Sequence, residues 1–421
     1  MENIEIDSKE NFHLNDEIIK NNLKVIDGEV RKKIVPFFAP KSIILRGSFG
    51  RDEVSFGWIN EKITYYSDCE IIVINPKNQF KKNITEIATE LSNELQLKVE
   101  IADLEPELKY FLKFGLVKYI IPTIDNYELK YGSKVIYGEN FLEKLPIFNA
   151  KDIPIWEGIR LILNRMIECS HYFNLYNQLT EISDQQKNNL YYWINKLILA
   201  CQDALLILIK KYHYSYRTRN KIFVHTYLDN FSNIHHDVPS FLQLTIHATK
   251  FKLNHNQEIS KDLSSYWFIV SAIVDKVFRH IINTVMNFEF VSYFDFHKDY
   301  LTNKCINRFF FRGASPKLPY QNLRSLIKII TLQKRLPDKT YLKYWHLPWN
   351  HLIYSCVPLI YFYSFNSPKK TGAFLSENRK REFLQAFNDY ISETDDKYIK
   401  YLSDDGNAVE KLYKDWLGMC Y

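Results

Sequence analysis

The sequence predicts an α+β protein, with an N-terminal mixed sheet and flanking helices followed by a large all-α region. Three observations lead to this fold class. Up to about residue 145, short β-rich runs alternate with polar helical segments. From Pro154 onward, long segments with helical spacing of apolar residues follow one another. Gly and Pro number only 12 and 14 among 421 residues, which argues against long linkers and disordered tracts.

Four short strands and one helix are expected in the N-terminal part. The second strand (CEIIVI) is apolar on both faces, which is typical of a central position in a sheet. A stripe of apolar residues at helical spacing predicts a helix over 83–95, so a helix separates the second strand from the third. The predicted strands are 41–45, 69–74, 97–104 and 134–137.

The remaining chain is predicted to be helical. We place the domain boundary near residue 150, which gives a catalytic domain over 1–150 and a helical substrate- or acceptor-binding region over 151–421. The apolar stretch 352–365 contains Pro358 and is too short to cross a bilayer, so it is expected to be a buried core helix. The other predicted helices are 156–172, 189–212, 266–288, 320–332 and 379–391.

Charge and cysteine usage exclude several classes of protein. Lys and Arg number 55 against 49 Asp and Glu, a net charge of +6 that permits an anionic ligand without indicating a histone-like protein. The six cysteines are scattered and form neither a CxxC nor a zinc pattern, which favours reduced thiols. The first residues are polar and carry no apolar signal segment. We therefore expect a cytoplasmic protein with no membrane partner.

The chemistry-bearing segment begins where the first strand ends. Gly47 permits close backbone approach, and Ser48 offers a hydroxyl and an N–H group that suit a phosphate oxygen. Arg51 adds a positive fork nearby, so these three residues are predicted to bind a nucleotide. Asp68 and Glu70 stand two positions apart at the next strand, which puts both carboxylates on one face. Such a pair repels unless a cation neutralises it, and Mg²⁺ prefers oxygen ligands.

This arrangement resembles the nucleotidyltransferase superfamily of the DNA polymerase β type. Its signature is an apolar residue, Gly, Gly or Ser, a spacer, and then Asp-x-Asp/Glu between apolar residues. The match covers roughly residues 40 to 140, and its form looks most like the bacterial stand-alone enzymes with a helical C-terminal part. The resemblance implies a nucleotidyltransferase fold, two Mg²⁺ ions and an NTP substrate. The spacer is longer than is common in the family, so residues 54–64 are predicted to form an extended loop at the site mouth.

A third carboxylate on a neighbouring strand completes the metal site in that family. Glu100 and Asp103 are the two candidates, and their separation of three residues puts them on opposite faces of a strand. Glu100 fits the apolar-acid-apolar pattern of the family and is favoured as the third metal ligand and as the carboxylate that deprotonates the acceptor hydroxyl. Asp103 stays open as the alternative.

Weaker signals lie in the helical region. In related enzymes a cation from this region contacts the triphosphate, which makes Lys196 a candidate nucleotide-binding residue, although a solvated lysine on a helix face is an equal alternative. Arg219 and His225 have the spacing of an Arg-x5-His pair, which resembles the signature of HEPN-type ribonucleases. That spacing is degenerate, so chance is the simpler explanation.

The function expected from these residues is Mg²⁺-dependent transfer of an NMP from an NTP to an acceptor hydroxyl, with release of pyrophosphate. Two alternatives stay open: a noncatalytic nucleotide-binding or toxin–antitoxin-type partner protein, and an RNA-directed nucleotidyltransferase. The acceptor can be a small molecule, a sugar, a protein side chain or an RNA end. Neither the base of the NTP nor the oligomeric state follows from the sequence.

Overall fold

A computed structural model of the chain describes residues 9–59, 62–74, 80–104, 108, 120, 122–178, 183–254, 262–286, 289–302, 349–363 and 408–420. The predicted helices over 320–332 and 379–391 lie outside the described residues. The chain divides into two compact units. The N-terminal unit comprises Met1–Ile153 with two later segments, His213–Lys221 and Thr249–Gln257, and the helical unit comprises Pro154–Tyr212, Ile222–Ala248 and Glu258–Tyr421.

The N-terminal part contains one small sheet, one hairpin and several helices. Its elements are α1 (Lys9–Phe38), β1 (Ser42–Arg46), α2 (Gly47–Gly50), β2 (Phe56–Ile59), β3 (Lys62–Tyr65), β4 (Cys69–Ile74), α3 (Phe80–Leu95), β5 (Val99–Asp103), α4 (Ile124–Gly132), β6 (Lys134–Gly138) and α5 (Phe141–Lys144). The four predicted strands are present as β1, β4, β5 and β6, and the predicted helix between the second and third strands is α3.

The sheet is mixed and has the strand order β5-β4-β1-β6. β1 pairs with β4 and β6 in antiparallel register, whereas β4 and β5 are parallel neighbours. Because parallel neighbours need a crossover connection, α3 carries the chain from β4 back to the start of β5. The starts of β4 and β5 therefore lie side by side, next to the end of β1.

Each face of the sheet is covered by a different set of apolar residues. On the first face, β-strand residues such as Ile43, Ile71 and Val99 pack with apolar side chains of α1 and α3. On the second face, Ile44 and Ile72 pack with apolar side chains of α4 and α5. Burial of these aliphatic side chains, at about 25 cal/mol per Å² of apolar surface, holds the layers together.

The expectation of an extended loop over residues 54–64 is wrong. This segment holds β2 and β3, which pair in antiparallel register with Phe56 opposite Tyr65. The residues that alternate along it, Phe56, Trp58, Ile63 and Tyr65, are aromatic or β-branched and favour strands over a solvated loop. The Phe49 and Tyr65 rings lie 5.9 Å apart, so the hairpin packs beside α2.

The helical unit consists of long helices around an aromatic and aliphatic core. The remaining elements of the chain are α6 (Ile155–Gln178), α7 (Asp184–Leu208), α8 (Tyr216–Asp237), α9 (Phe241–Leu253), α10 (Leu263–Met286), α11 (Tyr293–Thr302), α12 (Trp349–Tyr363) and α13 (Ala408–Cys420). Phe173 of α6 stacks on Trp267 of α10 with ring centroids 4.0 Å apart. Residues 353–361 of α12 are buried, as predicted for a core helix.

The α+β class is confirmed: a small mixed sheet is combined with mostly helical structure. Cys69, Cys169, Cys201 and Cys356 are buried and form no disulfide within the described residues. In the part of the chain that the structure describes, none of the helices combines the length and the hydropathy that a membrane span needs.

Candidate functional site

The turn after β1 brings its glycine into contact with a carboxylate of the next strand. Gly47 has a φ of +65°, a conformation that favours glycine. A Cβ atom at this position would lie 2.5 Å from Oε1 of Glu70. Both the backbone conformation and the space for the carboxylate therefore require glycine here. The Gly-Ser turn and the acidic strand, which the sequence predicts as parts of one site, are adjacent.

Charged side chains replace the apolar ones at one end of the second sheet face. Arg46 of β1 is opposite Glu70 of β4, and Glu70 is opposite Glu100 of β5. Neighbouring strands are about 4.8 Å apart, so the three residues form a continuous row across the sheet. Beside this row, Asp68 directly precedes β4 and Lys98 directly precedes β5.

Arg46 neutralises Glu70. Its Nε atom lies 2.9 Å from Oε2 of Glu70, and its Nη2 atom lies 3.5 Å from Oδ1 of Asp125. Burial raises the pKa of the Glu70 carboxyl above its ordinary value, and the Arg46 guanidinium partly offsets this effect. The nearby positive charge of Arg46 therefore stabilises the ionised form of Glu70.

Lys98 connects the other two acids. Its Nζ atom lies 3.0 Å from Oδ2 of Asp68 and 2.5 Å from Oε1 of Glu100. Burial alone would lower the pKa of this ammonium group, but its hydrogen bonds to Glu100 and Asp68 outweigh that effect and raise the pKa. The structure thus brings Asp68, Glu70 and Glu100 to one end of one sheet face, with a cation at each carboxylate.

Asp103 lies outside the row formed by Arg46, Glu70 and Glu100. It is opposite Val73 in the β4–β5 ladder, three positions further along the strand than Glu100. Its Oδ1 atom accepts a hydrogen bond of 2.8 Å from the backbone N–H of Leu104. Strand alternation directs Asp103 away from the face that carries Glu70 and Glu100. Of the two candidates for the third acid, Glu100 is the one that the fold places beside Glu70.

The donor set fits Mg²⁺ in its chemistry, because carboxylate oxygens are the ligands this ion prefers and the acids need positive charge nearby. The carboxylates are spaced more widely than the ligands of a bound metal ion. Within the described ranges, no three His, Cys, Asp or Glu side chains stand close enough to hold a metal ion. The positive charge at these carboxylates comes from Arg46 and Lys98.

Ser48 and Arg51 follow Gly47 in the short helix α2 and the turn after it. Ser48 is buried, and its carbonyl oxygen accepts a hydrogen bond of 2.9 Å from the backbone N–H of Glu53. The Arg51 guanidinium is also buried. Its Nη1 atom lies 2.6 Å from Oε2 of Glu128, and its Nε atom lies 3.7 Å from Oε2 of Glu53. Arg51 thus contacts carboxylates of its own unit, and its predicted contact with a nucleotide stays a prediction.

Glu53 binds the start of helix α8. Its carboxylate accepts hydrogen bonds from the Ser215 hydroxyl (2.7 Å), the Tyr216 N–H (2.9 Å) and the Arg217 N–H (3.1 Å). The first N–H groups of a helix have no partner within the helix, and the N-terminus favours negative charge. Glu53, which ends the segment Gly47–Glu53 (GSFGRDE), therefore has a structural task.

Arg219 is also part of this buried network. Its Nη2 atom lies 3.4 Å from Oε1 of Glu128, and its guanidinium carbon lies 4.0 Å from the centre of the Tyr216 ring. Arg219 is 1% exposed, whereas His225 is exposed and belongs to the helical unit. The contacts of Arg219 explain its presence without a ribonuclease site.

Lys196 lies in helix α7 of the helical unit. Its ammonium nitrogen is 4.5 Å from the centre of the Tyr192 ring and 4.2 Å from that of Trp193. Both distances are in the range of cation–π contacts. The contact of Lys196 with a triphosphate stays a prediction.

Sequence reasoning missed the two cations of the site. Lys98 could have been found from strand alternation, since it stands two positions before Glu100 and shares its face. Arg46 could have been found in the same way, because it ends the strand directly before Gly47. The pairing of Glu53 with Ser215 has no local sequence signal. Comparisons of the chain with protein-family models, with curated proteins and with solved structures find no match.

Proposed function

We propose that the protein is a Mg²⁺-dependent nucleotidyltransferase that transfers an NMP from an NTP to an acceptor hydroxyl. The observation that carries the proposal is the contact between the turn and the acids. Gly47 lies against the Glu70 carboxylate, and Glu70 is adjacent to Glu100. A phosphate-binding turn and a set of carboxylates at one point is the combination that phosphoryl transfer with metal ions requires.

The order of elements also supports the proposal. Strand, Gly-Ser turn, acid-bearing strand, helix and second acid-bearing strand occur in the order that the resemblance to the polymerase β type implies, with the hairpin of β2 and β3 inserted after the turn. Asp68, Glu70 and Glu100 would hold Mg²⁺, two ions according to the resemblance, once their side chains move closer together than they are in this structure. When bound, the metal supplies positive charge to the phosphate oxygens.

The residues of the chain have distinct tasks in this reaction. Ser48 binds a phosphate oxygen of the NTP with its hydroxyl or N–H group. Glu100, which is half exposed, accepts the proton of the acceptor hydroxyl. The acceptor oxygen forms a bond with the α-phosphorus, the bond from that phosphorus to the β-phosphate oxygen breaks, and pyrophosphate leaves with the electron pair.

One observation favours the noncatalytic alternative. Arg46 and Lys98 already pair with the three acids, so a positive charge lies beside each carboxylate without a metal ion. A protein of this kind would bind a nucleotide without turning it over. The two functions differ in one measurable product, since only the enzyme releases pyrophosphate.

The test is a transfer assay on the full chain with each α-labelled NTP, Mg²⁺ and a cell extract that supplies acceptors. We expect label to enter an acceptor and pyrophosphate to be released in the wild type. Asp68→Ala combined with Glu70→Ala should abolish both while the circular dichroism spectrum stays that of the folded protein. Full activity of this double variant would rule out the proposed site.

A matched pair of variants tests the third acid. Glu100→Gln should lower the rate by roughly two orders of magnitude, because it loses a metal ligand and proton acceptor. Asp103→Asn makes the same chemical change on the same strand, but away from the row of acids, and should stay near the wild-type rate. The reverse result would assign the role to Asp103.

A further inference from the structure

Lys98 occupies the position at which the proposed enzyme needs a divalent cation. Its ammonium nitrogen is within 3.0 Å of Asp68 and 2.5 Å of Glu100, so one positive charge connects two of the three acids. Lys98 and Glu100 are two positions apart in an extended segment, which directs both side chains to the same face. The extended backbone at the start of β5 thus places the Lys98 side chain beside Asp68 and Glu100.

Its exposure to solvent allows the Lys98 ammonium group to move away from Asp68 and Glu100. The Lys98 side chain is 61% exposed, and Asp68 and Glu100 are 44% and 47% exposed. The lysine stem is flexible, and its ammonium group is well solvated in water. Exposed pairs of this kind contribute little to stability, so their loss costs the fold little.

Arg46 differs from Lys98 in this respect. Its side chain is 30% exposed and contacts both Glu70 and Asp125. A guanidinium with two carboxylate partners is less easily displaced than an ammonium on an exposed stem. Of the two cations in the row, Lys98 is therefore the one that an entering ion would replace.

We infer that Lys98 is a built-in competitor of the divalent cation, which has to leave Asp68 and Glu100 before the metal ion binds. The inference rests on the proposed function and names the residue that sets the metal affinity of that site. While the metal is absent, Lys98 keeps the carboxylates together despite their mutual repulsion. When the metal is present, the same charge opposes it.

The test measures binding of Mn²⁺ and of Mg²⁺ to the nucleotide-free full chain by isothermal titration calorimetry. Lys98→Met removes the ammonium charge and retains an unbranched apolar stem. We expect this variant to bind Mn²⁺ on the order of tenfold more tightly than the wild type, because a positive charge a few ångströms from the ion is removed. Lys98→Arg keeps the charge, and because a guanidinium with two carboxylate partners is harder to displace, it should bind Mn²⁺ no more tightly than the wild type.

Lys33 offers a matched control. Its Nζ atom connects Glu90 and Glu94 at 3.0 and 2.8 Å, so Lys33→Met also releases a pair of acids, although at a different place in the same unit. This variant should bind Mn²⁺ like the wild type. Equal tightening in Lys33→Met and Lys98→Met would mean that net charge is responsible, and it would overturn the inference.

The remaining outcomes separate the inference from the proposed function. If the wild type binds Mn²⁺ and transfers NMP but Lys98→Met binds Mn²⁺ equally or more weakly, the inference is overturned and the enzyme assignment stands. If neither the wild type nor Lys98→Met binds a divalent cation, the inference is overturned, and the transfer assay decides separately on the proposed function. Thermal unfolding of each variant shows whether the protein is folded under the conditions of the titration.

Discussion

Gly47 is the residue at which the conformation of the chain and the charge of the site depend on each other. Its positive φ directs the chain into α2, and its missing side chain leaves space for the Glu70 carboxylate. Any other residue would strain the backbone and displace the acid that the Arg46 guanidinium binds. The glycine therefore serves the site as well as the turn.

Gly47→Ala should weaken both stability and activity. The strained backbone should cost about 1–2 kcal/mol of unfolding free energy, and the displaced Glu70 carboxylate should weaken binding of Mn²⁺. Urea unfolding and calorimetry measure the two effects.

Gly28→Ala in α1 is the matched control. A Cβ atom there meets nothing within 4 Å, and the helix interior favours alanine by about 0.5–1 kcal/mol. This variant should stabilise the protein and leave binding of Mn²⁺ unchanged. If Gly47→Ala behaves like Gly28→Ala, the contact between the turn and Glu70 has no role in the site.

At this scale the sequence predicts which acids meet, but not how they are neutralised. Asp68 and Glu70 can be placed on one face from their spacing, and Glu100 can be preferred to Asp103 from the apolar residues around it. Because repulsion between the acids demands a cation, the sequence predicts Mg²⁺ as their counter-ion. Arg46 and Lys98 also meet that demand, and which cation is present cannot be derived from the acids alone.

At the scale of elements, helix α8 depends on a residue of a distant segment. The Glu53 carboxylate accepts hydrogen bonds from two backbone N–H groups in the first turn of α8 and from the hydroxyl of Ser215. The Ser215 hydroxyl oxygen in turn accepts the N–H of Thr218 at 3.2 Å. Side-chain acceptors at a helix start each stabilise it by about 1 kcal/mol.

Glu53→Ala should therefore be strongly destabilising. It removes three hydrogen bonds to a buried charged acceptor and leaves the nearby Arg51 with one carboxylate partner fewer, at a cost of about 3 kcal/mol. The loss is measured by urea unfolding followed by circular dichroism. Glu53→Gln, which retains one acceptor oxygen, should lie between the wild type and Glu53→Ala.

Glu139 supplies the control for this prediction, since its ion pair with Lys144 is solvent-exposed. Exposed pairs contribute little, so Glu139→Ala should leave the unfolding midpoint unchanged. If Glu53→Ala unfolds at the same urea concentration as Glu139→Ala, the hydrogen bonds to the start of α8 do not support the fold.

Elements defined by a continuous apolar pattern could be predicted, and those defined by their neighbours could not. Strand β4 is nearly all apolar, β1 contains the apolar run Ile43–Leu45, and the first helices after residue 154 carry broad apolar stripes. The hairpin of β2 and β3 was missed because its strands are only four residues long and were interpreted as a family insertion. Its cross-strand pair of Phe56 and Tyr65 becomes evident only in three dimensions.

At the scale of the whole molecule, a variant of Lys196 tests whether the helical unit takes part in the proposed transfer reaction. The resemblance to the polymerase β type implies that Lys196 contacts the β- or γ-phosphate of the NTP. Lys196→Met should then raise the KM for NTP more than it lowers kcat, because the contact is equally strong in substrate and transition state. Steady-state kinetics with varied NTP concentration measure both constants.

Lys187→Met, on the same helix, is the control for Lys196→Met. Lys187 has an exposed pairing with Asp184, and its loss should leave both constants unchanged. An unchanged KM in Lys196→Met would show that its contacts with Tyr192 and Trp193 are structural only.

The composition of the N-terminal unit could not be derived from local patterns. Segments His213–Lys221 and Thr249–Gln257 belong to it, and Glu53, Glu128 and Ser67 bind side chains in them. These contacts join residues that are far apart in sequence. Periodicity and turn chemistry describe neighbours along the chain and carry no information about such pairs.

The link between Glu53 and the start of α8 has a consequence for synthesis on the ribosome. The partners are 162 to 164 residues apart in the chain. At about 5–20 residues per second, translation needs roughly 8–30 s to reach the second partner after the first. During that time the nascent N-terminal segment carries Glu53 and Arg51 without the helix that later covers them. The order of translation thus makes the completion of the N-terminal unit wait until helices α6 and α7 of the helical unit have been made.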